Sequence, residues 1–539
     1  MERRRSPTRT LSQVSTLPEV EACLAGLETT ASLARWEMAC DSSEATSAAA
    51  EAASAAMEHM LADPEVAAAA VPVAETPLEQ RRAEVLRLMT AGRQRPAELI
   101  DRVVALETEL MGRHSTYRAT YDGNELDAAA VDRVLMEGTD LAEREQVWRS
   151  ARGVGAAVDM SLRELVRLRN EGARALGHRD HYAMTLANDE LDEQRLFGLF
   201  DALHLALEPA WTAERELITA ERRATLGLAA DAPLMPWHLV DVFGQDPPSV
   251  GDDPLEAVIG EVDALGSAAR YFADLGADVD GVIARSDVLP RPGKDQHAFM
   301  MHVDRAGDVR VLMNLAPTVR WLETTLHELG HAIYELELAA DLPWLLRSPA
   351  HILTTEAIAM LHGRRGRDPE FLERYAGVDP AIARHPANAA TLRRGLLILA
   401  AWVQVMTRFE RALYADPDAD LDRVWWELVE QYQGIPRPAE PVPGAWASKI
   451  HLAVAPVYYH NYLLGEILAS QLEEWTERVA GAPSPAAAAT VVGPLIAEHV
   501  MAPGASLRWD QLVEQATGTP LAIDAFVRTV SAYPRPGRA

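Results

Sequence analysis

Leu326-His327-Glu328-Leu329-Gly330-His331-Ala332 carries the pattern HExxH. Its flanks, Trp321-Leu322-Glu323-Thr324-Thr325 and Ile333-Tyr334-Glu335-Leu336, have the apolar spacing of an amphipathic helix that runs through the motif. On that helix His327 and His331 stand one turn apart on a shared face. Two imidazoles so placed can grip one zinc ion, each through a ring nitrogen. Glu328 is turned about 100° from His327, out of the ligating pair but close enough to act on a water at the metal. Two histidines can reach this spacing by chance, so the surrounding chain has to supply a third ligand.

The segment Ser348-Pro349-Ala350-His351-Ile352-Leu353-Thr354-Thr355-Glu356-Ala357-Ile358-Ala359-Met360 offers Glu356, at the start of an apolar helical run. Zinc sites of this type take a Glu from a following helix and leave one position open. Glu356 could instead complement the helix dipole. Its apolar context favours the ligand role, because an unpaired carboxylate is costly there. Just before the HExxH helix, His297-Ala298-Phe299-Met300-Met301-His302-Val303 and Val309-Arg310-Val311-Leu312-Met313-Asn314 flank an Asp/Gly turn and predict a β-hairpin. A strand in that place can pair with an extended peptide, which suits a peptidase.

Elsewhere the period is helical. Helix is expected over 43–70, almost throughout 78–225, over 254–275, and on to about Gln433. A Pro-rich loop from Ile435 to Pro443 precedes Lys449-Ile450-His451 and the cluster Tyr458-Tyr459-His460-Asn461-Tyr462, which leads into a further helix. The fold class is mainly α, with 1–16 as a disordered tail and 17–535 as a single domain.

Composition sets limits. With 51 basic and 80 acidic residues the net charge is 51 − 80 = −29, which argues against nucleic acid as a partner. Two cysteines, Cys23 and Cys40, form neither a disulfide framework nor a metal site. The basic N-terminus is followed by no apolar core of a signal peptide, and no run of about 18 apolar residues predicts a membrane span, so the expectation is a cytoplasmic protein without membrane contact. Lysine occurs twice, at Lys294 and Lys449. Both stand just before histidines of interest, His297 and His451, which favours Lys449 as a substrate residue, while the position of Lys294 has no such support.

Together these residues resemble the angiotensin-converting-enzyme-like peptidyl-dipeptidases, in order along most of the chain. The likeness rests on the HELGH segment, Glu356 before Ala357-Ile358, His297-Ala298, Trp425-Trp426, Tyr432-Gln433-Gly434 and Lys449-x-His451. The resemblance implies a two-lobed ellipsoidal helical metallopeptidase with a deep central groove and the hairpin beside the HExxH helix. It implies one Zn²⁺ on His327, His331 and Glu356, with Glu328 as base. His297 and Ala298 would bind substrate backbone, and Lys449 with a tyrosine would take the C-terminal carboxylate. His451 with a second tyrosine would hold the scissile carbonyl. Counted without a gap, Tyr458 falls on the carboxylate tyrosine and Asn461 on the oxyanion tyrosine. A one-residue shift gives Tyr459 and Tyr462 instead, and i,i+3 spacing favours Tyr462 for the oxyanion. The family's second-sphere Asp is Met360 here, so another group must orient a zinc histidine. Its two chloride arginines in this half fall on Val429 and on His460 or Asn461.

The resulting expectation is a zinc metallopeptidase that releases C-terminal dipeptides from short peptides. An oligopeptidase or carboxypeptidase with the same zinc chemistry, and an inactive peptide-binding homologue, are the alternatives.

Overall fold

Helix dominates because the chain is rich in Ala, Leu, Arg and Glu, which lose little freedom in a helix, and because its helix starts are capped. Asp140, Asp180 and Asp192 each accept a hydrogen bond from a backbone N–H in the first turn of the helix that follows. The structure, a computed structural model, describes residues 16–72, 76–482 and 484–532. The proposed tail, apart from Thr16, and the last three residues of the proposed domain lie outside the described residues.

The fold is mainly α, as the sequence predicts. Strands among the described residues form two antiparallel hairpins. The first joins β1 (Ala119–Tyr121) to β2 (Asn124–Leu126), and the second joins β3 (Phe299–His302) to β4 (Val309–Leu312), with Met300 opposite Val311. The first hairpin corrects the reading of 78–225 as helix almost throughout. Its turn is Asp122-Gly123, both with positive φ, and Asp-Gly is the pair that a tight two-residue hairpin turn requires. The helix expected over 254–275 is also broken, into Pro254–Val258, a 3₁₀ turn and Ala264–Asp274. Asp263 makes the new start by accepting the Gly266 N–H.

One buried apolar cluster extends from Leu99 to Val530, while the N-terminal helices Leu17–Cys40 and Glu44–Ala62 contribute to a smaller one closed by Leu345. The segment 380–415 is long and apolar enough to cross a membrane by composition, yet 78% of its apolar window is buried inside the protein. It is a core helix.

Three helices position the site: the HExxH helix (Val319–Leu336), the Glu356 helix (Ile352–Gly363) and the tyrosine helix (His460–Ala480). Two glycines set their spacing. A Cβ on Gly330 would come within 2.8 Å of the Ala359 Cα, and one on Gly465 within 2.7 Å of the Glu356 Cβ. The tyrosine helix is further tied to the end of the Glu356 helix by buried ion pairs. Arg364 donates from Nε to Glu466 at 2.9 Å, and Arg365 pairs with Asp368 and Glu473.

Lys294 has a structural post. Its side chain is fully buried, and Nζ donates to the Asp287 carboxylate and carbonyl, to the Leu289 carbonyl at 2.9 Å, and to the Met313 carbonyl. It locks the chain entering β3 to the end of β4. Lys294→Met is therefore expected to cost on the order of 3 kcal/mol in chemical denaturation, while the folded fraction keeps the wild-type KM. A changed KM would place Lys294 at the substrate site.

Candidate active site and metal centre

The HExxH helix starts at Thr318, whose hydroxyl accepts the Trp321 N–H, and it carries His327 and His331 on one face. Their ring centroids are 4.8 Å apart and nearly perpendicular. Glu356 enters from the next helix, with Oε2 3.7 Å from His327 Nε2 and 3.8 Å from His331 Nε2. All three ligand atoms lie within 4.8 Å of one another. Tetrahedral zinc with ~2.1 Å bonds wants donors about 3.4 Å apart, and the two edges to Glu356, at 3.7 and 3.8 Å, are close to that spacing. The donors are also in the right chemical state. Burial pushes the His327 pKa down to about 4 and that of His331 well below its usual value, which keeps both rings neutral with a lone pair to give. Glu356 Oε2 is buried without a hydrogen-bond partner, an expensive arrangement unless a cation faces it. The residues fit a zinc ion.

The outer contacts are specific to this chain. His331 Nδ1 lies 2.7 Å from the Thr355 hydroxyl, so Thr355 supplies an orienting contact where Met360 cannot. Glu356 Oε1 accepts a 2.6 Å hydrogen bond from the Tyr458 hydroxyl. Burial raises the Glu356 carboxyl to about 7, against the pull of Tyr458. Glu328 sits just outside the triangle. Burial, reinforced by the charge of Glu356, raises it to about 8, and the Met300 N–H of β3 opposes that rise. A bound dication would add a stronger opposing term.

From this triangle a row of rings leads away. Tyr458 and Tyr462 have centroids 5.3 Å apart, Tyr462 and Tyr459 are 5.2 Å apart, and His451 is 5.0 Å from Tyr459 and 6.4 Å from Tyr462. The Tyr462 hydroxyl feels the charges of both Glu356 and Glu328. At the far end Lys449 Nζ donates to Gln245 Oε1 at 2.8 Å, and the Tyr459 hydroxyl reaches the same oxygen at 3.5 Å while accepting from Trp402 Nε1 at 2.9 Å. Nζ also lies 4.5 Å from the Phe243 ring centroid and 5.6 Å from those of Trp402 and Tyr459. Lys449 is only 7% exposed, and no carboxylate of the described residues pairs with it. His297 stands at the entrance to β3, 66% exposed at its side chain, with Nδ1 against Asp295, and Ala298 follows it.

Residues 289–528 match the family model described as angiotensin-converting enzyme, a peptidase family. Over those residues, a little under half of its length, the chain is similar to the angiotensin-converting-enzyme peptidases. The family is zinc-dependent, and the matched residues contain the whole His-His-Glu triangle, Glu328, the second hairpin and the row of tyrosines. This places the protein among the metallopeptidases.

The structure separates the tyrosines that the sequence left in two registers. Tyr458, a candidate for substrate binding, gives its hydroxyl to Glu356. Tyr459 is the one that joins Lys449, and Tyr462 lies between the metal triangle and that cluster. Gln245 was missed: its loop, Phe243-Gly244-Gln245-Asp246, reads only as a connection, and it precedes both the matched residues and Lys449 by a long stretch. The Asp241 carboxylate shapes the loop by accepting the N–H groups of Phe243, Gln245 and Asp246. Thr355 lies next to Glu356 in sequence, and nothing in the letters there signals its contact with His331.

Proposed function

We propose that the protein is a peptidyl-dipeptidase that removes C-terminal dipeptides from short peptides. The observation that carries this reading is Lys449, a buried ammonium in an aromatic box with Gln245 and Tyr459 and no acidic partner among the described residues. A buried cation is costly unless paired, and a peptide's terminal carboxylate would complete the site. The row of Tyr458, Tyr462 and Tyr459 rings connects the metal triangle to the box.

Held by His327, His331 and Glu356, a zinc ion would supply Lewis-acid charge to the scissile carbonyl and acidify the attacking water. Glu328 takes the proton of that water and later delivers it to the leaving amine. The Met300 N–H fixes the Glu328 carboxylate beside the strand that would hold the substrate. His297 and Ala298 bind substrate backbone at the entrance to β3. Tyr462 donates to the developing oxyanion, and His451 helps as a neutral imidazole, its pKa pushed down to about 3 by burial and by Lys449. Tyr458 keeps the Glu356 carboxylate oriented.

Tyr462→Phe is expected to lower kcat a hundredfold or more, the usual loss for one oxyanion donor, with an unaltered melting temperature. Unchanged turnover would move the role to Tyr458. The carboxylate box is tested by Lys449→Met, which keeps the volume of the stem. KM for free-acid peptides should rise roughly 30-fold or more, the effect of losing one partner of a buried charge pair, while peptides with a C-terminal amide change little. Equal effects on the two substrate types would remove Lys449 from carboxylate recognition.

A further inference from the structure

Val457 is a buried β-branched residue with φ +57°, a backbone region that such side chains rarely occupy. Its neighbours in sequence are Tyr458 and Tyr459, which reach opposite ends of the site. The strained turn is held from outside: the Val457 N–H donates to Glu410 Oε1 at 2.7 Å. Glu410 lies on the long helix Pro386–Ala415 and is itself 3% exposed. Arg169, Tyr182 and Tyr414 face it electrostatically, while its carboxylate accepts from the backbone of the turn. Eight residues earlier, about two turns away on the same face, Trp402 of this helix donates to the Tyr459 hydroxyl. One helix therefore grips the tyrosine segment twice, once at the backbone of Val457 and once at the side chain of Tyr459.

The left-handed Val457 reverses the backbone locally just before Tyr458 and so sets the directions in which Tyr458 and Tyr459 leave the turn. We infer that Glu410 is a positioning residue for peptide hydrolysis, holding Val457 in its left-handed turn so that Tyr459 meets Lys449 and Gln245 while Tyr462 faces the metal triangle. The inference rests on the proposed peptidase reading. It assigns to Glu410 an acceptor oxygen at a set reach, not a charge.

Two substitutions separate acceptor from charge. Glu410→Gln keeps the oxygen and the length but drops the charge, and should leave KM for free-acid peptides within threefold of wild type. Glu410→Asp keeps the charge but shortens the reach, and should raise that KM at least tenfold while amide-capped peptides change less. Adding Val457→Gly to Glu410→Asp should bring KM back toward wild type, because glycine adopts the left-handed turn unaided. Kinetics are read on protein whose circular dichroism and melting match wild type, since a general folding defect lowers the active fraction without changing KM. The inference is overturned if Gln is as impaired as Asp, if Asp keeps the wild-type KM, if both substrate types suffer equally, or if glycine restores nothing. Absence of cleavage by the wild-type protein would instead overturn the peptidase reading.

Discussion

Glu328→Gln is expected to lower kcat for peptide hydrolysis by roughly 10²–10⁴-fold, the range supplied by a positioned general base, without reducing bound zinc. The geometry sets both halves of this expectation. Glu328 lies next to the metal triangle but outside it, so the substitution leaves His327, His331 and Glu356 in place. Gln has the same shape and can still accept the Met300 N–H that holds Glu328 now, so the site should stay assembled. What disappears is the ability to take a proton from water and return it to the amine. The measurement is kcat beside zinc content by atomic spectroscopy. A variant with full zinc and wild-type turnover would remove Glu328 from proton transfer.

Glu356→Gln acts on the metal itself. Loss of an outer contact such as that of Thr355 to His331 costs about 10–100-fold in affinity, and loss of a charged ligand should exceed that, with peptidase activity falling alongside. Stability provides a second readout. In the metal-free protein Glu356 is a buried carboxyl with one oxygen unpartnered, so replacing it by a neutral amide should not lower the melting temperature. Zinc binds the folded state and should raise the wild-type melting temperature by mass action, an increase the variant should largely lack. Equal zinc-induced shifts in the two proteins would place the metal elsewhere.

The sequence makes the metal centre legible because its signals are local. HExxH is one turn of one helix, Glu356 stands alone in an apolar run, and the second hairpin breaks a helical period just before them. The Asp-Gly pair at 122–123 is an equally local signal for the first hairpin, overlooked because the surrounding stretch is helical. What periodicity cannot report is which residues meet across long separations. Gln245 and Lys449 come together because the Asp241 carboxylate gathers a loop of no visible pattern, and Glu410 finds Val457 through the packing of the long helix. The roles of the tyrosines were ambiguous for a related reason: the directions of Tyr458 and Tyr459 depend on the left-handed backbone of Val457, and nothing in the letter Val announces that conformation. Lys294 is scarce in type yet structural in place, a buried hydrogen-bonded knot.

The most direct test of the proposed reaction is mass spectrometry of the products from a short free-acid peptide, incubated with the protein as purified, after chelation, and after zinc is returned. The proposed reading predicts successive C-terminal dipeptides, none after chelation, and recovery with zinc. Single amino acids or internal fragments would contradict the exit rule set by Lys449, and cleavage that survives removal of zinc would contradict the metal centre itself.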